Sequence, residues 1–208
     1  LDTDNSGWSP PIVQGKYAYI AMDAVGGTCS GATLTGCEFR IYDISNPASF
    51  TAVGGFETGI NIFGLYVSGN YAYLGLTSAA ANEFQIIDIS NPANIQEIGT
   101  YDSGANINDI HIENNFAYLA TSNGSREIIK LDISNPVSPS LSAFYNTPNS
   151  SPAFGITLEN GHIYATFGNG SGNPDFYILD ASNPQLRLTQ TDGTVYTELQ
   201  TDGNVLNV

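Results

Sequence analysis

A chain of 208 residues that is 41% hydrophobic, with 22 glycines, 10 prolines, 12 tyrosines and 10 phenylalanines, has the composition of a globular, strand-rich protein. Twenty acidic residues against five basic ones give a formal charge of −15, a field that repels phosphate backbones and anionic headgroups. Nucleic acid and direct membrane binding are disfavoured, cations are the natural small partners, and no apolar run is long enough to cross a bilayer as a helix.

The chain opens at Leu1 rather than Met, which leads to the expectation of a leader removed upstream, by processing or by design. Asp2, Asp4 and Ser6, followed by Gly7, have the spacing of the first half of a calcium loop. The bidentate Glu that would complete the loop is replaced by Val13, so a calcium site on Asp2, Asp4 and Ser6 stands against a solvated terminal turn.

From Pro10 onward the chain repeats. Asp43-Ile44-Ser45-Asn46-Pro47 recurs at Asp88-Ile89-Ser90-Asn91-Pro92, at Asp132-Ile133-Ser134-Asn135-Pro136 and, modified, at Asp180-Ala181-Ser182-Asn183-Pro184, in steps of 45, 44 and 48 residues. A second marker keeps the same period: Tyr17-Ala18-Tyr19, Tyr71-Ala72-Tyr73, Phe116-Ala117-Tyr118 and His162-Ile163-Tyr164. A fixed period of this size is the mark of a repeat architecture.

The first repeat, 10–57, carries an excursion over about 23–38 that contains both cysteines. Nothing nearby supplies the further ligands of a zinc site, so Cys29 and Cys37 are expected to form a local disulfide and to indicate an oxidising compartment. The loop is either a contact loop or an inert insertion.

The second repeat, 58–102, is uninterrupted and serves as the template. Ile62–Ser68 reads as strand A, Gly69-Asn70 as a tight turn, Tyr71–Thr77 as strand B, Glu83–Ile89 as strand C and Ile95–Tyr101 as strand D. Strand C carries apolar residues on both faces, as a sheet packed between neighbouring sheets requires. The Asp-Ile-Ser-Asn-Pro run ends it, because Pro cannot donate to the ladder and the short polar side chains satisfy turn amides.

Repeats 103–147 and 148–191 follow the same pattern, and 192–208 reads as a further hairpin whose Val195, Tyr196, Leu199, Val205 and Leu206 call for burial. The expected fold is all-β: one domain over 1–208, a β-propeller of four four-stranded antiparallel blades with an extra C-terminal β-hairpin. "VSGNYAYLGL" and "FQIIDISNPANIQEIGTYDSG" resemble the LVIVD repeat of exported bacterial and archaeal proteins, over roughly Pro10 to Gln190. The resemblance implies a propeller-like fold at the cell surface and carries no catalytic residues with it.

Features common to all four repeats are expected to serve the blade. The four Asp of the repeated turn read as turn formers, and the paired tyrosines as packing between blades rather than platforms for sugar. Ligand binding is then expected where the repeat breaks. At the starts of the inner strands stand Asn61, Asn106, Asn108, Asp109, Ser150 and Ser151, candidates for a cation or polar ligand at a channel mouth. His111 replaces Tyr66 and Thr157 of its neighbours, with no nucleophile motif to accompany it, and reads first as an inner-strand histidine. The blade 4 loop 167–174 lacks the Lys and following helix of a phosphate site. Three sequons, at Asn123, Asn149 and Asn169, suit an exported chain.

The leading expectation for function is a non-enzymatic, extracellular or surface-exposed interaction or structural module, of adhesion type or as part of an appendage, with protein or glycan partners. One alternative is a polysaccharide-binding or polysaccharide-cleaving protein using His111 and Asp109 at one mouth. The other is a filament subunit assembled through the C-terminal hairpin.

Overall fold

The computed structural model describes residues 9–24, 29, 34–78, 81–146, 150–168 and 176–182, and, for the backbone alone, 186–191, 194–201 and 204–207. The calcium candidates Asp2, Asp4 and Ser6 and the sequons at Asn149 and Asn169 lie outside these residues.

The described chain is all-β and forms four antiparallel meanders. Sheet 1 holds β1 (Ile12–Gln14), β2 (Tyr17–Ala21), β3 (Phe39–Asp43) and β4 (Thr51–Phe56), in that spatial order. Sheet 2 holds β5 (Ile62–Ser68), β6 (Tyr71–Leu76), β7 (Phe84–Asp88) and β8 (Gln96–Tyr101). Sheet 3 holds β9 (Ile107–Glu113), β10 (Phe116–Thr121), β11 (Ile128–Asp132) and β12 (Ser140–Tyr145). Sheet 4 begins with β13 (Ala153–Glu159), β14 (His162–Phe167), β15 (Phe176–Asp180) and β16 (Leu186–Thr191). It continues in backbone pairing through β17 (Thr194–Thr201) and β18 (Asn204–Asn207), with Leu188 opposite Thr197 and Leu199 opposite Leu206. Among the described residues no helix is long and apolar enough to cross a membrane.

Local chemistry accounts for the strand limits. Gly69 adopts φ +59°, the left-handed conformation the hairpin between β5 and β6 needs, and Tyr66 then faces Tyr73 while Tyr73 faces Ile86. β5 has the bounds expected from sequence, and the other template strands agree within one residue at each end. One feature the sequence reading lacks is a bulge between the third and fourth strands of sheets 1, 2 and 3, at Ile41/Tyr42, Ile86/Ile87 and Lys130/Leu131. Each bulge puts one extra residue into the outer strand and turns it locally.

The chain separates into two compact units, Leu1–Ile107 with Asn135–Pro139, and Asn108–Ser134 with Ser140–Val208. In the first, Tyr19, Phe39 and Ile41 of sheet 1 pack against Leu65, Val67, Leu74 and Ile87 of sheet 2. In the second, Tyr118, Ile128 and Tyr145 of sheet 3 pack against Ile156, Ile163 and Phe167 of sheet 4. Tyr19, Tyr73 and Tyr118 are buried, and Tyr19 and Tyr73 stack on Phe39 and Phe84 of the strand C beside them. Their faces are therefore spent on the scaffold.

Candidate functional site

The repeated Asp works as the sequence pattern suggests. In all four repeats Oδ1 of Asp43, Asp88, Asp132 or Asp180 accepts the backbone N–H two residues on, from Ser45, Ser90, Ser134 or Ser182, at 2.7 to 2.9 Å. The next residue ties the turn to the hairpin between the first two strands, at the same end of its sheet: Ile44, Ile89, Ile133 and Ala181 donate N–H to the carbonyls of Lys16, Asn70, Asn115 and Gly161. Asp43 adds an ion pair to Lys16 at 3.0 Å. The hydrogen bonds from Ser45, followed by the lysine, lower its carboxyl to about 2.

Because this value is depressed in the fold, the contribution of Asp43 is complete above the unfolded value near 4 and is lost as pH falls through about 2. In a carbon-13 titration of the carboxyl, Ser45→Ala should raise this value more than Lys16→Gln does. The reverse order would assign the shift to charge rather than hydrogen bonding.

The turn also spans two repeats. A Cβ built on Gly54 of β4 would overlap the carbonyl oxygen of Pro92 and stand 3.0 Å from its carbonyl carbon. Gly99 of β8 stands in the same relation to Pro136, whose carbonyl carbon would be 3.1 Å away. Each glycine is a notch, placed by the bulge beside it, that receives the proline carbonyl of the following repeat. Ala143 stands at the corresponding place in β12.

A second interlock escaped the sequence reading. Glu38, Glu83 and Glu127 each stand one residue before strand C, and all three are buried. Glu38 Oε2 accepts N–H from Thr58 at 2.8 Å and from Gly59 at 3.1 Å, in the link that leads into sheet 2. Glu83 Oε2 does the same for Ser103 at 2.9 Å and Gly104 at 3.2 Å. Burial pushes the Glu38 carboxyl up, against the hydrogen bonds from Thr58 and Gly59 and together with the charge of Glu57. The recurrence of Glu with a Thr/Ser-Gly pair twenty residues on was the available signal.

The residues expected at a channel mouth are engaged within the scaffold. Asn61 Oδ1 accepts N–H from Ala24, and Asn106 Oδ1 accepts N–H from Ser78, both at the exit of the preceding strand B. Asn108 Nδ2 donates to Ala153 O at 2.6 Å and to Ser122 Oγ at 3.0 Å. Asp109 Oδ2 accepts N–H from Ile156 at 2.9 Å, and its Oδ1 accepts from Ile110.

Asp109 is raised by burial against these hydrogen bonds and the charge of His111. His111 is lowered by burial, against Glu113 and Asp109. Ser151 is buried, Ser150 adopts φ +53°, and Asn123 accepts N–H from Ser125 in a tight turn. Lys130 reaches from β11 to the carbonyl of Ala181 at 2.8 Å, with its ammonium 4.2 Å from the centre of the Phe116 ring.

Among the described residues, two places are open to recognition. The first is the excursion of sheet 1, where Cys29 and Cys37 form the expected disulfide with their Cα atoms 4.4 Å apart. Glu57 accepts N–H from Cys29 at 2.8 Å, and Cys37 Sγ would stand 2.5 Å from a Cβ on Gly55, so the loop base is fastened to β4 and its exit. For a ring with a sequence separation of 8, loop closure is worth about 2 to 3 kcal/mol. Reduction of the disulfide, or Cys29→Ala with Cys37→Ala, should lower the unfolding free energy from denaturant titration by that amount and leave the strand spectrum intact.

The second place is a pocket of about 330 Å3 within the first unit. Ile60 and Leu76 give it an aliphatic side, while Asn82, Gln85, Glu97 and Thr100 give it a polar one. Gln85 Oε1 has no hydrogen-bond partner among the described residues.

A family of proteins described as LVIVD repeat matches residues 12–25, 35–58, 63–103 and 104–147, more than half of the chain. The match ends at 147, short of the extent to Gln190 drawn from the repeated turn, and the fourth repeat stands outside it. No curated protein matches the chain. Among solved structures, the computationally designed Ika8 protein is similar at a TM-score of 0.61 and 12% identity, over 95% of this chain and 54% of that one. The designed Ika4 protein is similar at a TM-score of 0.55 and 12% identity, over 82% of this chain and 88% of that one. The chain thus spans about half the length of the first of these, and likeness at this identity speaks to fold alone.

Proposed function

Since the chain belongs to the LVIVD-repeat family, we propose that it is an exported, non-enzymatic interaction module of the cell surface, its four sheets acting as the blades of a propeller. The observation that carries the reading is the Cys29–Cys37 disulfide, which suits an oxidising compartment and fastens a loop to a rigid sheet. The surrounding chemistry supports it: Asn61, Asn106, Asn108 and Asp109 serve the scaffold, and the large negative charge favours basic partners.

The test is capture of surface material by the immobilised chain, with whole cells, surface proteins and a glycan array offered in parallel. Capture that weakens on reduction of the disulfide supports the reading. A chain that stays monomeric and retains none of the three ends it.

A second reading, assembly into a filament, draws support from β18, the last strand in the backbone order of sheet 4, whose outer edge a neighbouring chain would pair with. Removing residues 194–208 should then abolish assembly while the disulfide-bonded part stays folded. Assembly that survives the deletion rules this out.

A further inference from the structure

We infer that this chain associates with a second copy of itself, the open face of sheet 1 in one copy packing on the open face of sheet 4 in the other. Each unit already contains a contact of this type. In the first unit, Tyr19, Phe39 and Ile41 lie on the face of sheet 1 that meets sheet 2, and Val67, Ala72, Leu74 and Ile87 lie on the face of sheet 2 that receives them. In the second unit, Tyr118 and Ile128 of sheet 3 meet Leu158, Ile163 and Leu179 of sheet 4 from equivalent strand positions.

The opposite faces of sheets 1 and 4 carry the same pattern without the cover. In sheet 1, Val13, Ala18, Ile20 and Tyr42 take the places of Val67, Ala72, Leu74 and Ile87. Val67 is 8% exposed and its three companions are fully buried, whereas Val13 is 61% exposed and Ala18, Ile20 and Tyr42 are half-buried. In sheet 4, Tyr164 and Phe176 take the places of Tyr19 and Phe39 and stack alike, with ring centres 6.4 Å apart against 6.3 Å. The sheet 1 pair is buried and the sheet 4 pair is half-buried, with Thr166 exposed where Ala21 is buried. A repeat that caps an array presents a polar outer face. Val13, Ala18 and Ile20 do not cap; they continue the apolar face that receives a neighbouring sheet.

Charge joins the two faces at one edge. Gln14, the last residue of β1, clasps the hairpin of sheet 2: its Nε2 donates to Gly69 O at 2.8 Å and its Oε1 accepts N–H from Gly69 at 3.0 Å. Glu159, which is exposed, holds the place of Gln14 in sheet 4. Gly15 holds the place of Gly69 in sheet 1, at φ +61° against +59°. Lys16 follows it, with 57% of its side chain exposed. Across the contact, the Glu159 carboxylate accepts N–H from Gly15 and pairs with the ammonium of Lys16. Each copy supplies one face of each kind, so the contact is heterologous. It goes beyond the interaction-module reading and does not depend on it. It also differs from strand addition at β18, because it does not use that edge.

The test is sedimentation equilibrium of the full chain over a range of concentrations, where the mass should rise from 22.1 kDa to twice that value. Val13→Arg, at an exposed position, should weaken association about tenfold with the thermal midpoint unchanged. Glu159→Lys and Lys16→Glu should each weaken it about tenfold by placing like charges together. An equimolar mixture of these two variants should regain the affinity of the native chain, since each copy then meets its complement in the other.

A native chain that is monomeric at every concentration, association indifferent to Val13→Arg, or a mixture no tighter than its components overturns the inference. If surface capture fails while the mixture still associates, the interaction-module reading falls and this contact stands.

Discussion

Gly99→Ala should cost the fold about 3 kcal/mol, the upper part of the range for overpacking a close contact, and lower the thermal midpoint by roughly 10 °C. The added methyl would overlap a backbone carbonyl oxygen, that of Pro136, with Pro139 Cδ a further 3.3 Å away, and a backbone atom cannot rotate aside as a side chain can. Gly54→Ala meets Pro92 in the same way and should cost a similar amount. Gly15→Ala is the control. It has φ +61° but open space around the built Cβ, so it should show only the left-handed penalty of about 1 kcal/mol. Equal losses at Gly15 and Gly99 would mean that the notch contributes nothing, and a thermal melt of the three variants measures it.

Glu38→Ala should cost about 4 kcal/mol. It removes the acceptor of two backbone N–H groups, those of Thr58 and Gly59, and leaves a space where a fully buried side chain stood. Glu38→Gln keeps an oxygen in place and should cost only about 1 kcal/mol at neutral pH, which distinguishes the hydrogen bonds from the charge.

The pH dependence has a definite sign. Burial raises the carboxyl in the fold, so its contribution is complete below the unfolded value near 4 and is lost as pH rises through the folded value. The advantage of the native chain over Glu38→Gln should therefore shrink as pH rises from 4 to 7. Denaturant midpoints across that range measure it, and a gap that widens instead would show that the ionised form is the one the fold prefers.

These two interlocks mark what could and could not be seen in the sequence. Strands β5 to β8 were legible because their signals are local: alternating apolar residues, a Gly-Asn turn, and a proline that stops the ladder. The turn role of Asp88 was legible for the same reason, since its partner is two residues away.

The notch at Gly99 was not legible, because its partner is a backbone carbonyl 37 residues on, and a carbonyl has no residue type to recognise. Glu83 reads from the sequence as the first residue of a strand, although its spacing to Ser103-Gly104 repeats that of Glu38 to Thr58-Gly59. Asn108 and Asp109 show the opposite case. They are unusual residues, and the sequence marked them for that reason. Asp109 stands where the second and fourth repeats have Gly64 and Gly155, and its carboxylate hydrogen-bonds the backbone of the neighbouring strand β13 instead. Gln85 carried no signal at all, since a glutamine inside a strand is ordinary until its oxygen is found without a donor.

The spacing of the clamps bears on how such chains change length. Glu38 reaches forward to the link before sheet 2, and the Pro92 turn reaches back to β4, so each bond closes within one period of its origin. A gene duplication that copies one whole period, starting at any phase, reproduces every donor beside its acceptor. An insertion of part of a period leaves a buried carboxylate or a backbone carbonyl facing the wrong neighbour. Inheritance in this architecture therefore favours whole modules, and shorter insertions are tolerated only outside the clamps, as in the disulfide-closed loop of sheet 1.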